Sequence, residues 1–144
     1  MRTKKQVLVV DDNPVNLSIL EEVLDGEYRV SFARNGAEAI RIAAECLPEF
    51  VLLDVMMPGM DGLEVCSRLR ETAGMRDAVI IMVSAKAMPS ERAAGINAGA
   101  NDYVTKPFDE VELLGILRRH AGDRVAEADD LASDVSDDET TVAW

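Results

Sequence analysis

Side chains suited to metal and phosphate chemistry follow four short strand-like runs of this sequence. Asp11 and Asp12 follow VLVV, Asp54 follows FVLL, Ser84 follows AVIIMV, and Lys106 follows DYVT. An ionised carboxylate is costly to bury unless it is paired or bound to a metal. The carboxylate of Asp54, which interrupts the apolar residues of VLLDVMMPGMDG, therefore indicates either a strand that ends at the water-exposed surface or an acid that is paired with nearby groups.

The apolar runs alternate with segments of helical period, which indicates how these side chains are positioned. Strands are predicted at Gln6–Val10, Tyr28–Ala33, Phe50–Leu53, Ala78–Val83 and Asp102–Thr105. Three of these runs are continuous rather than alternating, which is typical of strands covered on both faces. Helical patterns occupy residues 15–24, 37–47, 63–73, 90–98 and 111–121. Five strand–helix repeats predict an α/β fold with a doubly wound, five-stranded parallel sheet and helices on both faces.

The predicted helices have clear N-terminal signals. Asn13 is followed by a proline, which suits the first helical position. Asn35, Asp61 and Asp109 each precede a glutamate by three residues, as in a capping box. These signals mark the starts of four of the five predicted helices.

In an open parallel sheet, ligands bind in the crevice beyond the carboxyl ends of the strands. The carboxylates of Asp11, Asp12 and Asp54, the Ser84 hydroxyl and the Lys106 ammonium are all predicted at that edge. Three clustered carboxylates repel one another unless a cation joins them, and hard oxygen ligands favour Mg²⁺, with Mn²⁺ as a substitute. A carboxylate beside a metal and a lysine is also a plausible nucleophile towards phosphorus.

Four segments together resemble the response-regulator receiver domain of two-component signalling. They are VLVVDDNPVN, VLLDVMMPGMDG, VSA and YVTKPF, and the resemblance covers residues 5–121. It implies a flavodoxin-like sheet of strand order 2-1-3-4-5. It also implies that Asp54 accepts a phosphoryl group from a phosphohistidine.

The resemblance implies a role for each of the other site residues. Asp12 would bind Mg²⁺ directly and Asp11 through water, with Asp54 and the backbone carbonyl of Met56 completing the protein ligands. The Ser84 hydroxyl and the backbone N–H of Ala85 would bind the phosphoryl group.

Three further positions complete the set that the resemblance implies. Lys106 would pair with the acceptor carboxylate and later with the phosphate, and its bond to Pro107 is expected to be cis. Tyr103 matches an aromatic switch that moves inward as Ser84 moves. Tyr103 lies on the face made by the fourth helix, fifth strand and fifth helix. This face would bind the downstream partner or output domain and would support a homodimer.

Two residues beside the acceptor are expected to tune how long the phosphate persists. Met56 lies two residues after Asp54, and Lys86 lies two residues after Ser84. Because Met56 offers no group to orient a water molecule, we expect slow to moderate self-dephosphorylation.

We therefore expect a signalling switch rather than a metabolic enzyme. Its partners would be a sensor histidine kinase or histidine phosphotransfer protein, and a downstream protein or attached output domain. One alternative is a pseudo-receiver regulated by binding alone. The other is an aspartyl-phosphate phosphatase of the haloacid-dehalogenase-like class, whose Asp-x-Asp motif differs from the adjacent Asp11–Asp12 pair.

Composition and charge limit the remaining function classes. The 144 residues are 48% hydrophobic and carry a formal charge of −12, which argues against a nucleic-acid binder that neutralises phosphates. Residues 122–144 contain eight acidic residues and one arginine. We therefore divide the chain into a receiver domain, 1–121, and an acidic tail or linker, 122–144, predicted to be disordered or weakly helical.

No apolar run approaches the ~18 residues of a membrane span, and the N-terminus lacks a signal-peptide pattern, so a cytoplasmic protein is expected.

Overall fold

A computed structural model of the chain describes residues 4–57, 59–85 and 88–129, with side chains as far as residue 121. Within these ranges, strands and helices alternate. The strands are β1 (Lys5–Val10), β2 (Tyr28–Ala33), β3 (Phe50–Asp54), β4 (Val79–Ser84) and β5 (Asp102–Thr105). The helices are α1 (Pro14–Leu24), α2 (Gly36–Cys46), α3 (Gly62–Glu71), α4 (Pro89–Asn97) and α5 (Glu110–Asp129).

The strands form one parallel sheet in the order β2-β1-β3-β4-β5. This order confirms the predicted doubly wound, flavodoxin-like arrangement. Residues through Phe108 form one compact unit that contains the sheet and the first four helices, whereas α5 belongs to a second unit that begins at Asp109.

Both faces of the central strands are buried, which explains their continuous apolar sequences. Leu8, Val10, Val51 and Leu53 belong to one apolar cluster together with residues of α2 and α3. The alternate residues of β1 and β3 point to the opposite face. These residues are also buried, and α1 packs against β1 and β2 with Leu17, Leu20 and Leu24 buried. Helices therefore cover both faces of the sheet.

The helix starts follow local side-chain chemistry. Asn13 Oδ1 accepts a hydrogen bond from the Val15 N–H at 2.8 Å, and Pro14 is the first residue of α1. The side chains of Asn35, Asp61 and Asp109 accept hydrogen bonds from backbone N–H groups three residues later, at 2.7–3.0 Å. Each cap satisfies a backbone donor that has no partner within its helix.

Most element boundaries differ from the predicted ones by one or two residues, and the differences in β3, β4 and α5 bear on the site and on the domain division. β3 includes Asp54, and β4 lies one residue later than predicted because buried Ser84 continues the pairing with Thr105. α5 runs through Asp129, beyond the predicted domain boundary at residue 121, and residues 130–144 lie outside the described part. The division into receiver domain and tail stays a prediction. Among the described residues, no helix is both long and apolar enough to span a membrane.

Candidate functional site

Strand register brings the predicted acidic residues together at the carboxyl edge of the sheet. Val10 of β1 pairs with Leu53 of β3, so Asp11 and Asp54 are the next residues on two neighbouring strands. The carboxylates of Asp11, Asp12 and Asp54 each offer an oxygen within 4.8 Å of the others. Asp11 and Asp54 are buried, whereas Asp12 is exposed to solvent.

Lys106 lies between the two buried carboxylates. Its Nζ is 3.6 Å from Asp11 Oδ2 and 3.8 Å from Asp54 Oδ2. One ammonium group thus compensates part of the negative charge on both acids. The three acids still carry a net negative charge, and the atoms that they offer are carboxylate oxygens. Both properties suit a hard divalent cation such as Mg²⁺.

Asp11 is also held by two hydrogen bonds from the start of α1. Its Oδ1 accepts from the backbone N–H of Asn13 at 2.9 Å, and its Oδ2 accepts from Asn16 Nδ2 at 3.1 Å. Asn16 was not among the site residues predicted from the sequence. The available signal was an amide side chain in the first turn of a helix that directly follows an acidic strand end.

Asp54 is buried at the end of β3 but keeps a polar contact. Its Oδ1 accepts from the backbone N–H of Met56 at 3.0 Å, which leaves Oδ2 as the oxygen nearer to Lys106. Burial raises the pKa of Asp54, while the Met56 N–H and the Lys106 charge oppose that rise and the neighbouring acids Asp11 and Asp12 add to it.

A backbone hydrogen bond joins the carboxyl ends of β4 and β5. The Lys106 N–H donates to the Ser84 carbonyl at 2.7 Å, and the Lys106–Pro107 peptide bond is cis. The Ser84 side chain is fully buried. A cavity of about 420 Å³ adjoins these strand ends, and Asp11, Asn16, Asp54, Ala85, Lys106 and Phe108 are among its lining residues.

The proposed switch and tuning positions lie in different environments. Tyr103 is only 3% exposed, and the guanidinium carbon of Arg92 lies 5.3 Å from the centroid of its ring. The Met56 side chain is 53% exposed at the edge of the site. Lys86, the other predicted tuning residue, lies outside the described residues.

The chain is similar to curated response regulators over most of its length. It is 42% identical to the response regulator PleD of Caulobacter vibrioides over 114 residues, which cover 78% of this chain and 25% of PleD. It is 45% identical to the response regulator MprA of Mycobacterium sp. (strain KMS) over 114 residues, which cover 78% of this chain and 49% of MprA. The chain thus spans about half or less of the length of these relatives.

Two solved structures have a similar fold. The chemotaxis protein CheY4 of Vibrio cholerae matches with a TM-score of 0.78 and 30% identity, covering 81% of this chain and 98% of that one. The receiver domain of the sensor histidine kinase PA1611 of Pseudomonas aeruginosa matches with a TM-score of 0.77 and 35% identity, covering 83% and 99%. That structure has a magnesium ion coordinated in its active-site cleft.

The family model of the response regulator receiver domain matches residues 7–118, a range that contains the carboxyl end of every strand. On this match, the chain belongs to the response-regulator receiver-domain family of two-component signalling.

Proposed function

We propose that this receiver domain is a phosphorylation-activated switch with Asp54 as its phosphoacceptor. The observation that carries the proposal is the position of Lys106 Nζ between Asp11 and Asp54, at 3.6 and 3.8 Å, beside a third carboxylate. The phosphodonor would be a phosphohistidine of a sensor histidine kinase or of a histidine phosphotransfer protein.

The two oxygens of Asp54 have different roles in this proposal. The Met56 N–H binds Oδ1 and orients the carboxylate, so Oδ2 is the attacking oxygen. As the Oδ2–P bond forms, the P–N bond to the donor imidazole breaks, and its electron pair remains on the imidazole nitrogen. Lys106 lies near Oδ2 and would compensate negative charge on the phosphoryl oxygens.

The residues present fit a Mg²⁺ site. Asp11, Asp12 and Asp54 supply oxygen donors on one edge of the sheet, and we assign the Met56 backbone carbonyl as a further ligand. When bound, Mg²⁺ would supply positive charge that offsets the carboxylates and the incoming phosphoryl oxygens; Mn²⁺ would substitute. Because Asp11 already accepts two hydrogen bonds, we assign it a contact through water and Asp12 a direct one.

The phosphorylated state would be read through β4 and β5. The Ser84 hydroxyl and the Ala85 backbone N–H would bind the phosphoryl oxygens, and that contact would keep the Tyr103 ring in the buried position that it already occupies. We propose the face that carries Tyr103 as the surface for a downstream protein, an attached output domain or a second copy of the chain.

The exposed thioether of Met56 cannot orient an attacking water molecule, so slow to moderate self-dephosphorylation is expected, with Lys86 as the second tuning residue.

The proposal is tested with phosphoramidate, a small donor that contains a P–N bond. The protein is incubated with it in Mg²⁺ or in EDTA, and phosphoprotein is then separated by electrophoresis. We expect Mg²⁺-dependent modification that persists well beyond seconds after the donor is removed.

Two further measurements, of Mg²⁺ binding and of phosphate-ester hydrolysis, separate the alternatives. Mg²⁺ binding without any modification would favour a pseudo-receiver regulated by binding alone. Multiple turnover of para-nitrophenyl phosphate would favour an aspartyl-phosphate phosphatase.

A further inference from the structure

We propose that Asn16 is a positioning residue that holds the Asp11 carboxylate in the arrangement needed for Mg²⁺ binding. This inference rests on the proposed Mg²⁺ site but concerns a residue outside the predicted ligand set. The Asn16 side chain does not need to touch the cation. It would act through the hydrogen bond from its Nδ2 to Asp11 Oδ2, at 3.1 Å.

The start of α1 places the Asn16 amide beside Asp11 with little freedom. Asn13 caps the helix, and Pro14 occupies the first helical position. Side chains of a helix tilt towards its N-terminus, so a residue in the first turn reaches back towards the preceding strand end. Asn16 is half-buried and lines the same cavity as Asp11 and Asp54.

The hydrogen bond matters because Asp11 Oδ2 has two competing neighbours. It accepts from Asn16 at 3.1 Å and lies 3.6 Å from Lys106 Nζ, which is also 3.8 Å from Asp54. Without the amide donor, the Asp11 carboxylate can rotate about its side-chain bond and move closer to the ammonium. That closer ion pair would neutralise a carboxylate that the cation needs and would draw Lys106 away from Asp54.

The Asn13 backbone N–H cannot hold the carboxylate alone. It contacts only Oδ1, at 2.9 Å, and a single hydrogen bond to one oxygen leaves rotation of the other oxygen unrestrained. The amide of Asn16 fixes the second oxygen. Partners that orient a directly bound metal ligand typically contribute a factor of roughly 10–100 in metal affinity, and we expect the lower end of this range for Asp11, to which we assign a contact through water.

The test is titration of the full chain with Mg²⁺ by isothermal calorimetry. Asn16→Ala removes the donor, and Asn16→Leu removes it while keeping a side chain of similar size. Both variants are expected to raise the Mg²⁺ dissociation constant by roughly tenfold. The matched control is Asn35→Ala, which removes an amide side chain from the start of α2 without touching the carboxylates. We expect its Mg²⁺ dissociation constant to stay within about twofold of wild type.

A double-mutant cycle shows whether Asn16 acts through Asp11. In an Asp11→Asn background, the additional Asn16→Ala change should alter the Mg²⁺ dissociation constant by less than about twofold, because the partner carboxylate is gone. Urea unfolding in EDTA, measured in parallel, separates lost affinity from lost folding. Wild-type affinity in both Asn16 variants, or the same loss with and without Asp11, would overturn the inference. A wild-type chain that binds no Mg²⁺ would instead overturn the proposed metal site itself.

Discussion

Arg70 connects three segments of the fold that are distant in sequence. From α3, its Nε donates to the Gly99 carbonyl at 2.9 Å, and its Nη1 donates to the Ala78 carbonyl at 2.6 Å. Its Nη2 donates to Asn101 Oδ1 at 2.6 Å, and the same oxygen accepts from the Ile80 N–H at 2.8 Å. Arg70 therefore joins the start of β4 to the turn that leads into β5, the strand that carries Tyr103.

Replacing Arg70 with methionine should destabilise the fold substantially. A hydrogen bond from a charged donor contributes about 1.5–3 kcal/mol, and the substitution removes three short ones. The sum is an upper limit, because Arg70 is only half-buried and water can reach some of the released acceptors. We therefore expect Arg70→Met to lower the free energy of unfolding by about 2–4 kcal/mol.

The assay is urea unfolding in EDTA, followed by far-ultraviolet circular dichroism. Arg68→Met is the matched control, because Arg68 lies on the same helix but forms an exposed ion pair with Glu64 at 3.0 Å. Such a pair is worth about 0.5 kcal/mol or less. If Arg70→Met and Arg68→Met lowered the unfolding free energy equally, the reasoning would be refuted.

Four other changes test close packing at two glycines and the charge of the site. Gly62→Ala would place a Cβ 2.5 Å from Val55 Cα and 2.8 Å from the Asp54 carbonyl oxygen, so it should cost at least about 2 kcal/mol in urea unfolding. Gly115 lies within a helix, where an added Cβ would meet no atom within 4 Å other than its chain neighbours and its own helix backbone. Gly115→Ala should therefore raise the free energy of unfolding by about 0.5–1 kcal/mol. A loss of stability at Gly115, or no loss at Gly62, would contradict these contacts. Asp54→Asn should raise the unfolding free energy in EDTA at neutral pH, because a pKa raised by burial means that ionisation of Asp54 opposes folding. That gain is complete above the raised pKa and disappears below the ordinary value of 3.8; a variant no more stable than wild type at pH 7 would refute the sign. Mg²⁺ should raise the melting temperature of wild type more than that of Asp54→Asn, and equal shifts would argue against Asp54 as a ligand.

Much of the fold and the acidic part of the site could be predicted from the sequence because they depend on local signals. Continuous apolar runs identified buried strands, and acids at the ends of two neighbouring strands had to meet at one edge. The shift of β4 by one residue was not predictable in this way, since Ser84 is polar and its burial depends on pairing with Thr105.

Side-chain contacts between distant segments could not be predicted. Arg70 lies in a helix where a charged residue ordinarily faces solvent, yet its partners Gly99 and Asn101 lie about thirty residues away along the chain. Asn16 is closer to its partner, but its role depends on the direction in which α1 leaves the strand.

The most direct test of the central claim is the intact mass of the protein after incubation with acetyl phosphate and Mg²⁺. Wild type is predicted to gain the mass of one phosphoryl group, and Asp54→Asn is predicted to gain none. An unmodified wild type, or the same gain in the variant, would contradict the assignment of Asp54 as the phosphoacceptor.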